Sequence, residues 1–425
     1  MFKFAIALLF IVLSMKPLFG QPSPTALTAG SIAAPAINAT GIDLLHATSH
    51  VDQNALLSPY SIETALAMTY AGADGNTREE MARVLHLNAE ATQVAGAFSG
   101  LQAQLDSMVQ NSVRESEQMK KYEVTNEPMV LDVANRIFGE QHYPFRPEFL
   151  KLLKTSFDAP LEPMDFRNNP AGASKKINDW VAEQTRNKIQ NLVPAGALNK
   201  RTGLVLVNAL YLKAPWAEVF PERATQPLPF HVRGAETANV PTMYIQKSFG
   251  YTKTNGVTVV SVPYKGNDLQ FLIILPDEIN GLAKVEAGLT AEKLATWASL
   301  PNQQVKLFLP KFKMQPPTLP LGAALQKLGM TTAFDVPPGS ANFDRMAPRK
   351  PDDYLYISEV FHKTFISVDE KGTEAAAATA VVMMNKLAMQ PLAPVEVKAD
   401  HPFLFAIQHR RTGTCLFLGH VVDPR

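Results

Sequence analysis

FHKTFISVDEKGTEAAAATAVVMMNK, residues 361–386, is the stretch that decides the fold of this chain. It opens with the β-prone residues Phe365, Ile366 and Val368, and the polar run 369–372 then breaks the strand pattern. The seven residues 374–380 include five alanines and no bulky side chain. Alanine favours a helix, but this run has no apolar stripe that would pack such a helix onto a core.

The alanine-rich run can also form a strand that enters between two existing strands, because small side chains clash with nothing on either face. With the two-residue period of a strand, one face carries Thr373, Ala375, Ala377 and Thr379, and the other carries Glu374, Ala376, Ala378 and Ala380. The first set is small enough to be buried, and the second can lie at a surface or beneath a covering helix. The alanine-rich run can therefore be either an exposed helix or an inserting strand.

Two other stretches predict helices near that strand. In residues 54–85, Ser58 can cap a helix, and Thr77 with Glu80 has the spacing of a capping box, which predicts a second helix beginning at Thr77. Residues 177–194, INDWVAEQTRNKIQNLVP, are amphipathic and predict a further helix.

These stretches resemble the serpins. EKGTEAAAATAVV, residues 370–382, is similar to the hinge of the reactive-centre loop of inhibitory members, and residues 54–85 resemble the N-terminal signature of the family. The resemblance covers roughly residues 37–425, and it implies one mixed α/β (α+β) domain. Three β-sheets, eight to nine helices and an exposed reactive-centre loop at about residues 373–395 are expected. The implied hinge residues are Glu370, Gly372, Thr373, Glu374, Ala375, Ala376, Ala377, Ala378 and Thr379.

The resemblance implies a suicide inhibitor of serine proteases and no enzyme. A protease would cut the loop and form an acyl-enzyme, and the cut loop would insert into the main sheet and distort the protease. Sixteen positions after Glu370, the family's usual spacing, the bond is Lys386-Leu387, and a lysine suits a trypsin-like protease. The tail from Lys386 to His401 is longer than in many members, so Leu387 and Met389 stay open as sites for chymotrypsin-like or elastase-like proteases.

Two further alternatives remain. A cysteine protease could be the target of the same trap. A non-inhibitory carrier or chaperone-like binder could also use this fold, although such members commonly have bulky or charged hinge residues, which this hinge lacks.

The resemblance also implies roles for six residues outside the loop. Trp216 matches the tryptophan of the breach, at the top of the main sheet, and Lys311 matches the lysine that pairs with the hinge glutamate, here Glu370. The shutter, a polar cluster where the strands of the main sheet part, is matched by Ser58, Ser61, Asn208 and His362. A purely structural network, and a plain core aromatic for Trp216, are the alternatives.

Composition and motifs exclude several function classes. Of 425 residues 46% are hydrophobic, and the net charge is +1, so a core can form but nothing predicts a nucleic-acid or membrane partner. No catalytic motif and no metal-ligand spacing is present, so we expect no cofactor or metal. We expect a monomer whose partner is a protease.

The N-terminus predicts the compartment. Lys3, the apolar run 4–13 and the small Gly20 indicate a cleavable signal peptide, residues 1–20, with a retained anchor as the alternative. The protein is therefore expected to be secreted, extracellular or periplasmic, with residues 21–36 as an unstructured leader. The single cysteine, Cys415, lies in an apolar run and is expected to be buried. Asn38 begins a glycosylation sequon, whose use is left open.

Overall fold

The computed structural model describes residues 24–122, 127–234, 236–254, 256–374 and 393–425, and of residues 24–31 it describes the backbone only. Its helices are α1 (Pro24–Thr48), α2 (Pro59–Tyr70), α3 (Gly75–Val84), α4 (Ala91–Lys120), α5 (Pro147–Phe157), α6 (Pro170–Gln184), α7 (Leu282–Ala287), α8 (Ala291–Trp297) and α9 (Gly322–Lys327). Its strands are β1 (Ala55–Leu57), β2 (Val130–Glu140), β3 (Glu162–Met164), β4 (Leu204–Pro215), β5 (Gln226–Val232), β6 (Glu236–Thr254), β7 (Val257–Pro263), β8 (Leu269–Pro276), β9 (Asn302–Pro310), β10 (Phe312–Met314), β11 (Leu319–Pro320), β12 (Ile357–Thr364), β13 (Ile366–Asp369), β14 (Gly372–Thr373), β15 (Val395–Lys398), β16 (Phe403–His409) and β17 (Thr414–Val421).

The first sheet contains nine strands in the order β1-β17-β16-β8-β7-β6-β9-β15, with β5 paired to β6. Strands β8, β16 and β17 are buried along their whole length, which explains their nearly continuous apolar sequences. Strand β6 pairs in turn with β5, β9 and β7, so two of the three expected sheets are continuous through it. The mixed fold class is confirmed.

The main sheet contains eight strands and is organised around β4. Its order is β10-β13-β14-β4-β12-β11, with β2 paired to the other edge of β4 and β3 paired to β2. Strand β4 runs antiparallel to β2 and parallel to β12. Leu206 and Leu210 face the main core, whereas Val205 and Val207 face a second apolar cluster that includes Ile177 of α6. Both faces of β4 are therefore covered.

Helix α1 differs from the sequence-based expectation. It begins at Pro24, inside the segment 21–36 that was predicted to be an unstructured leader, and Ala33 and Ala36 are buried in the main core. Small alanines favour the helix and let it pack closely, so the end of this segment is part of the fold. The predicted signal peptide, residues 1–20, lies outside the described residues. No helix in the part of the chain that the structure describes is long and apolar enough to cross a bilayer.

Asn38 of α1 is used internally. Its Nδ2 donates to the carbonyl of Gly413 at 2.9 Å, and its Oδ1 accepts from the amide of Cys415 at 2.9 Å. The side chain is buried, so the sequon cannot carry a glycan in this fold. Cys415 is buried as predicted, and burial raises the pKa of its thiol.

Two helix boundaries also differ. Helix α3 begins at Gly75 rather than at Thr77, and the predicted capping box is wrong because both of its residues have long-range partners. Thr77 accepts from the amide of Asn342, and the Glu80 carboxylate accepts from the amides of Thr331 and Thr332. The helix predicted for residues 177–194 instead ends at Gln184, because the next turn uses left-handed backbone at residues 186 and 187.

Candidate functional site

The hinge begins inside the main sheet. Gly372 and Thr373 form the two-residue strand β14, which lies antiparallel to β4 on one side and to β13 on the other. The pairs are Gly372 with Pro215 and Asp369, and Thr373 with Ala214 and Val368. The amide of Glu374 adds one more hydrogen bond, to the carbonyl of Ser367 at 2.9 Å. The first residues of the hinge are thus already paired on both sides.

Gly372 is required by this geometry. Its φ is 152°, and a Cβ at this position would lie 2.1 Å from the carbonyl oxygen of Ala214. Only glycine allows the chain to approach β4 so closely after the turn that follows β13.

Aromatic side chains hold the hinge on its core-facing side. Trp216 donates from Nε1 to the carbonyl of Asp369 at 2.9 Å, and its ring stacks on Tyr264 at 4.5 Å. The Tyr264 hydroxyl is hydrogen-bonded to the Thr373 hydroxyl at 2.5 Å, and burial raises the pKa of this tyrosine, which therefore stays neutral. Trp216 lies at the predicted place, whereas Tyr264 was missed because nothing in its local sequence distinguishes it from other core aromatics.

The expected ion pair between Lys311 and Glu370 is present. Lys311 Nζ lies 2.8 Å from Glu370 Oε2, and the Thr225 hydroxyl donates to Oε1 at 2.8 Å. Burial favours the neutral acid, but the hydrogen bonds from Lys311 and Thr225 outweigh it and lower the pKa of Glu370. The pair fixes the first of the implied hinge residues; its role in insertion stays a prediction.

The four predicted shutter residues also lie together. The amide of Ser58 donates to His362 Nε2 at 3.1 Å, and His362 Nδ1 is hydrogen-bonded to Asn208 Oδ1. The ring therefore carries its proton on Nδ1 and is neutral. Burial lowers the pKa of His362 to about 3, in keeping with that state. The Ser58 hydroxyl accepts from the amide of Ser61 at 3.2 Å and so caps α2.

A fifth member of this cluster is Asn135 of β2. The hydroxyl of Ser61 donates to Asn135 Oδ1 at 2.7 Å, and Asn135 pairs directly with Asn208 across β2 and β4. Asn208 in turn pairs with His362 across β4 and β12. The cluster thus ties three strands to α2. A polar residue at an inward position of an apolar strand was the signal that could have indicated Asn135.

Part of the predicted site lies outside the described residues. This applies to the hinge alanines Ala375, Ala376, Ala377 and Ala378, to Thr379, and to the candidate cleavage positions Lys386, Leu387 and Met389. Their predicted roles stay predictions.

Comparisons with known proteins agree with this geometry. The sequence model of the family "Serpin (serine protease inhibitor)" matches residues 35–424. Leukocyte elastase inhibitor of Bos taurus is 39% identical over 381 residues, which cover 87% of this chain and 93% of the relative. Serpin B4 of Homo sapiens is 36% identical over 378 residues, covering 88% and 94%. The crystal structure of Serpin48, described as a highly specific serpin in the insect Tenebrio molitor, matches with a TM-score of 0.75 and 32% identity, over 96% of this chain and all of that one.

These relatives correct the predicted location. Leukocyte elastase inhibitor and the serpin B members are intracellular and lack signal peptides, so the prediction of a secreted protein, extracellular or periplasmic, is wrong. The family assignment itself rests on a match to nearly the whole chain. The chain belongs to the serpin family of serine protease inhibitors.

Proposed function

We propose that this serpin is a suicide inhibitor of serine proteases, cut at Lys386-Leu387, and that it traps the protease by inserting residues from Glu374 onward between β4 and β12. The observation that carries the proposal is the register of β14. Continuing that register by four residues would bring residue 377 between Leu210 and Thr364. These two residues already pair with each other in the present sheet.

The same register supports insertion without slippage. Strands β4 and β12 would have to separate sideways, but neither would slide along the other, because their present pairing has the offset that an inserted strand requires. Two residues further on, Thr379 would lie between Asn208 and His362, where its hydroxyl could replace the hydrogen bond that now joins them. The Asn208 Nδ2 group, which has no partner within the described residues, is a spare donor for that hydroxyl.

Insertion is expected to be strongly downhill. Each inserted residue exchanges backbone hydrogen bonds to water for bonds to two flanking strands, and it buries a side chain on each face of the sheet in turn. The uncut protein is therefore held above its most stable state by a kinetic barrier. Strand β4 has 12 residues, so an inserted partner of equal length would carry an acylated protease roughly 40 Å along the sheet.

Trypsin provides the first test. A lysine before the cut bond fits a protease pocket with a buried carboxylate at its base. We expect a covalent complex that survives boiling in detergent, and mass spectrometry should find a new N-terminus at Leu387. The matched Lys386→Gln variant should lose the trypsin complex. Cutting of the loop without any stable complex would contradict the proposal.

An elastase-like or chymotrypsin-like target is the second candidate. It is favoured by the name of the relative quoted above, leukocyte elastase inhibitor, and by the apolar residues Leu387 and Met389 near the predicted bond. Parallel incubations with elastase and chymotrypsin, followed by the same mass analysis, distinguish it. A stable complex cut after Leu387 or Met389, retained in Lys386→Gln, would replace the trypsin assignment. Papain tests a cysteine protease in the same way.

Thermal unfolding distinguishes an inhibitor from a non-inhibitory binder with the same fold. After the loop is cut by any protease, the inhibitor should gain resistance to heat and urea because the cut loop completes the sheet. A nicked form that unfolds at the same temperature as the intact form would favour the binder.

A further inference from the structure

Glu374 is the residue at which the chain turns out of the main sheet. Its amide still bonds to Ser367, but its φ is +47°, in the left-handed region that residues with a side chain rarely adopt. A strand that continued into the sheet would need an extended backbone here. The conformation of this one residue therefore separates the paired part of the hinge from the remainder.

The Glu374 carboxylate is held on the face of the sheet opposite Tyr264. Oε1 forms an ion pair with Lys188 Nζ, and the side chains of Glu374 and Lys188 are 18% and 41% exposed. Burial and then the nearby negative charge of Glu374 raise the pKa of the Tyr211 hydroxyl. The pair is thus partly shielded from water and lies directly over β4.

Lys188 comes from the loop that follows α6. Arg186 and Asn187 of this loop both have positive φ, so the loop turns sharply after the helix and brings Lys188 over the sheet. The ammonium group lies 5.9 Å from the centre of the Phe365 ring, at the break between β12 and β13. Lys188 therefore contacts the hinge beside the point where β12 gives way to β13.

We propose that Lys188 is a positioning residue that holds Glu374 in its left-handed conformation and thereby sets the rate at which the hinge inserts. This inference rests on the proposed insertion mechanism. The left-handed backbone is unfavourable by itself, and the ion pair offsets that disadvantage only while the chain points out of the sheet. In the extended state Glu374 would lie opposite Lys213, whose ammonium group is already paired with Glu127 at 2.5 Å.

Removing the ion pair and relaxing the backbone at residue 374 should change the rate of conversion to the inserted form in opposite directions. Lys188→Met and Glu374→Gln remove the ion pair, and each should speed conversion of the uncut protein to a urea-resistant, inserted form about two- to five-fold. The double variant should be no faster than either single variant, because both remove the same contact. Glu374→Gly also removes the ion pair but makes the left-handed conformation easy, so it should convert about three-fold more slowly than Glu374→Gln. The control is Lys176→Met, which removes an ion pair of α6 with Glu162 that lies away from the hinge.

The measurement is the half-life of the intact protein just below its unfolding temperature, read on urea gels. Rates for Lys188→Met and Glu374→Gln equal to that of Lys176→Met, or conversion of Glu374→Gly as fast as that of Glu374→Gln, would overturn the inference.

Hydrogen exchange separates this inference from the proposed function. Amide exchange in the peptide that contains residues 372–374 should quicken about two- to five-fold in Lys188→Met, whether or not any form of the protein inserts. If neither nicked nor heated wild-type protein gains stability, the proposed function fails and the exchange result alone decides the role of Lys188. Unchanged exchange in this peptide would refute that role.

Discussion

The variant Thr373→Arg tests the first step of insertion, in which residue 373 is buried in the main sheet. Thr373 is 1% exposed, it pairs with both β4 and β13, and its hydroxyl is bonded to Tyr264 beneath the sheet. An arginine would have to place its guanidinium group in this apolar slot or leave the sheet. The residues that Thr373 pairs with or bonds to, Ala214, Val368 and Tyr264, offer no carboxylate, so the charge would be buried without a partner and the hinge of the variant should be expelled into solvent.

The magnitude follows from that unpaired charge. Burying an unpaired ion is unfavourable by several kcal/mol, and about 3 kcal/mol at the start of insertion would slow it roughly 100-fold. Cleavage of the loop is unaffected, since the cut bond lies far along the chain. The acyl-enzyme would therefore be hydrolysed before the strand forms, and the protein would become a substrate.

The assay is the number of inhibitor molecules consumed for each protease molecule inhibited. We expect this ratio to rise at least about tenfold for Thr373→Arg, with an unchanged rate of loop cleavage. Thr373→Ser, which keeps the hydroxyl and the small volume, should remain close to wild type. A covalent complex formed by the arginine variant at wild-type yield would refute the insertion mechanism.

Three stability predictions follow from ionisable side chains that the fold buries or pairs. Burial holds the pKa of His362 at about 3, below its ordinary 6.5, so the unfolded chain binds the extra proton. In urea titrations the stability of wild type relative to His362→Gln should therefore fall as pH drops from 6.5 towards 3, by about 1 kcal/mol per pH unit. Burial raises the pKa of Glu63 to about 8, above its ordinary 4.5, so the stability of wild type relative to Glu63→Gln, measured in the same way, should fall as pH rises from 4.5 to 8. Lys311→Met leaves the carboxylate of Glu370 without its cation and should reduce the free energy of unfolding by about 1 kcal/mol, after allowance for solvent screening. The control Lys371→Met removes the more exposed pair with Glu222 and should change the free energy of unfolding by less than half of that.

The local sequence around the hinge left an exposed helix and an inserting strand both possible. The family resemblance favoured the strand and implied that Gly372 belongs to the hinge, and β14 has the pairing that such a strand would begin with. The shutter residues and the pair between Lys311 and Glu370 could be placed because the resemblance supplied contacts between segments far apart in the chain.

The other features of the fold and of the site depend on contacts between distant segments, which a local sequence pattern does not predict. Glu80 has the spacing of a capping residue, but two distant amides bind its carboxylate more favourably than its own helix does. Lys188 was expected to lie inside a helix, where it could not have reached the hinge. Lys188 reaches the hinge because the helix ends at Gln184 and the following loop turns over the sheet.

The structure also explains why small side chains would be needed on both faces of the strand that the hinge is proposed to form. From sequence alone, the face carrying Glu374, Ala376 and Ala378 could have been a solvent surface. The corresponding face of β4 is covered by the apolar cluster that includes Ile177 of α6, and the opposite face packs on the main core. A strand that inserts beside β4 would therefore meet packed side chains on both sides, and a bulky residue on either face would have to displace a core. The unbroken alanine run is thus the sequence that a strand entering a finished, doubly covered sheet requires, whereas a solvent-exposed helix would tolerate larger residues at every second position.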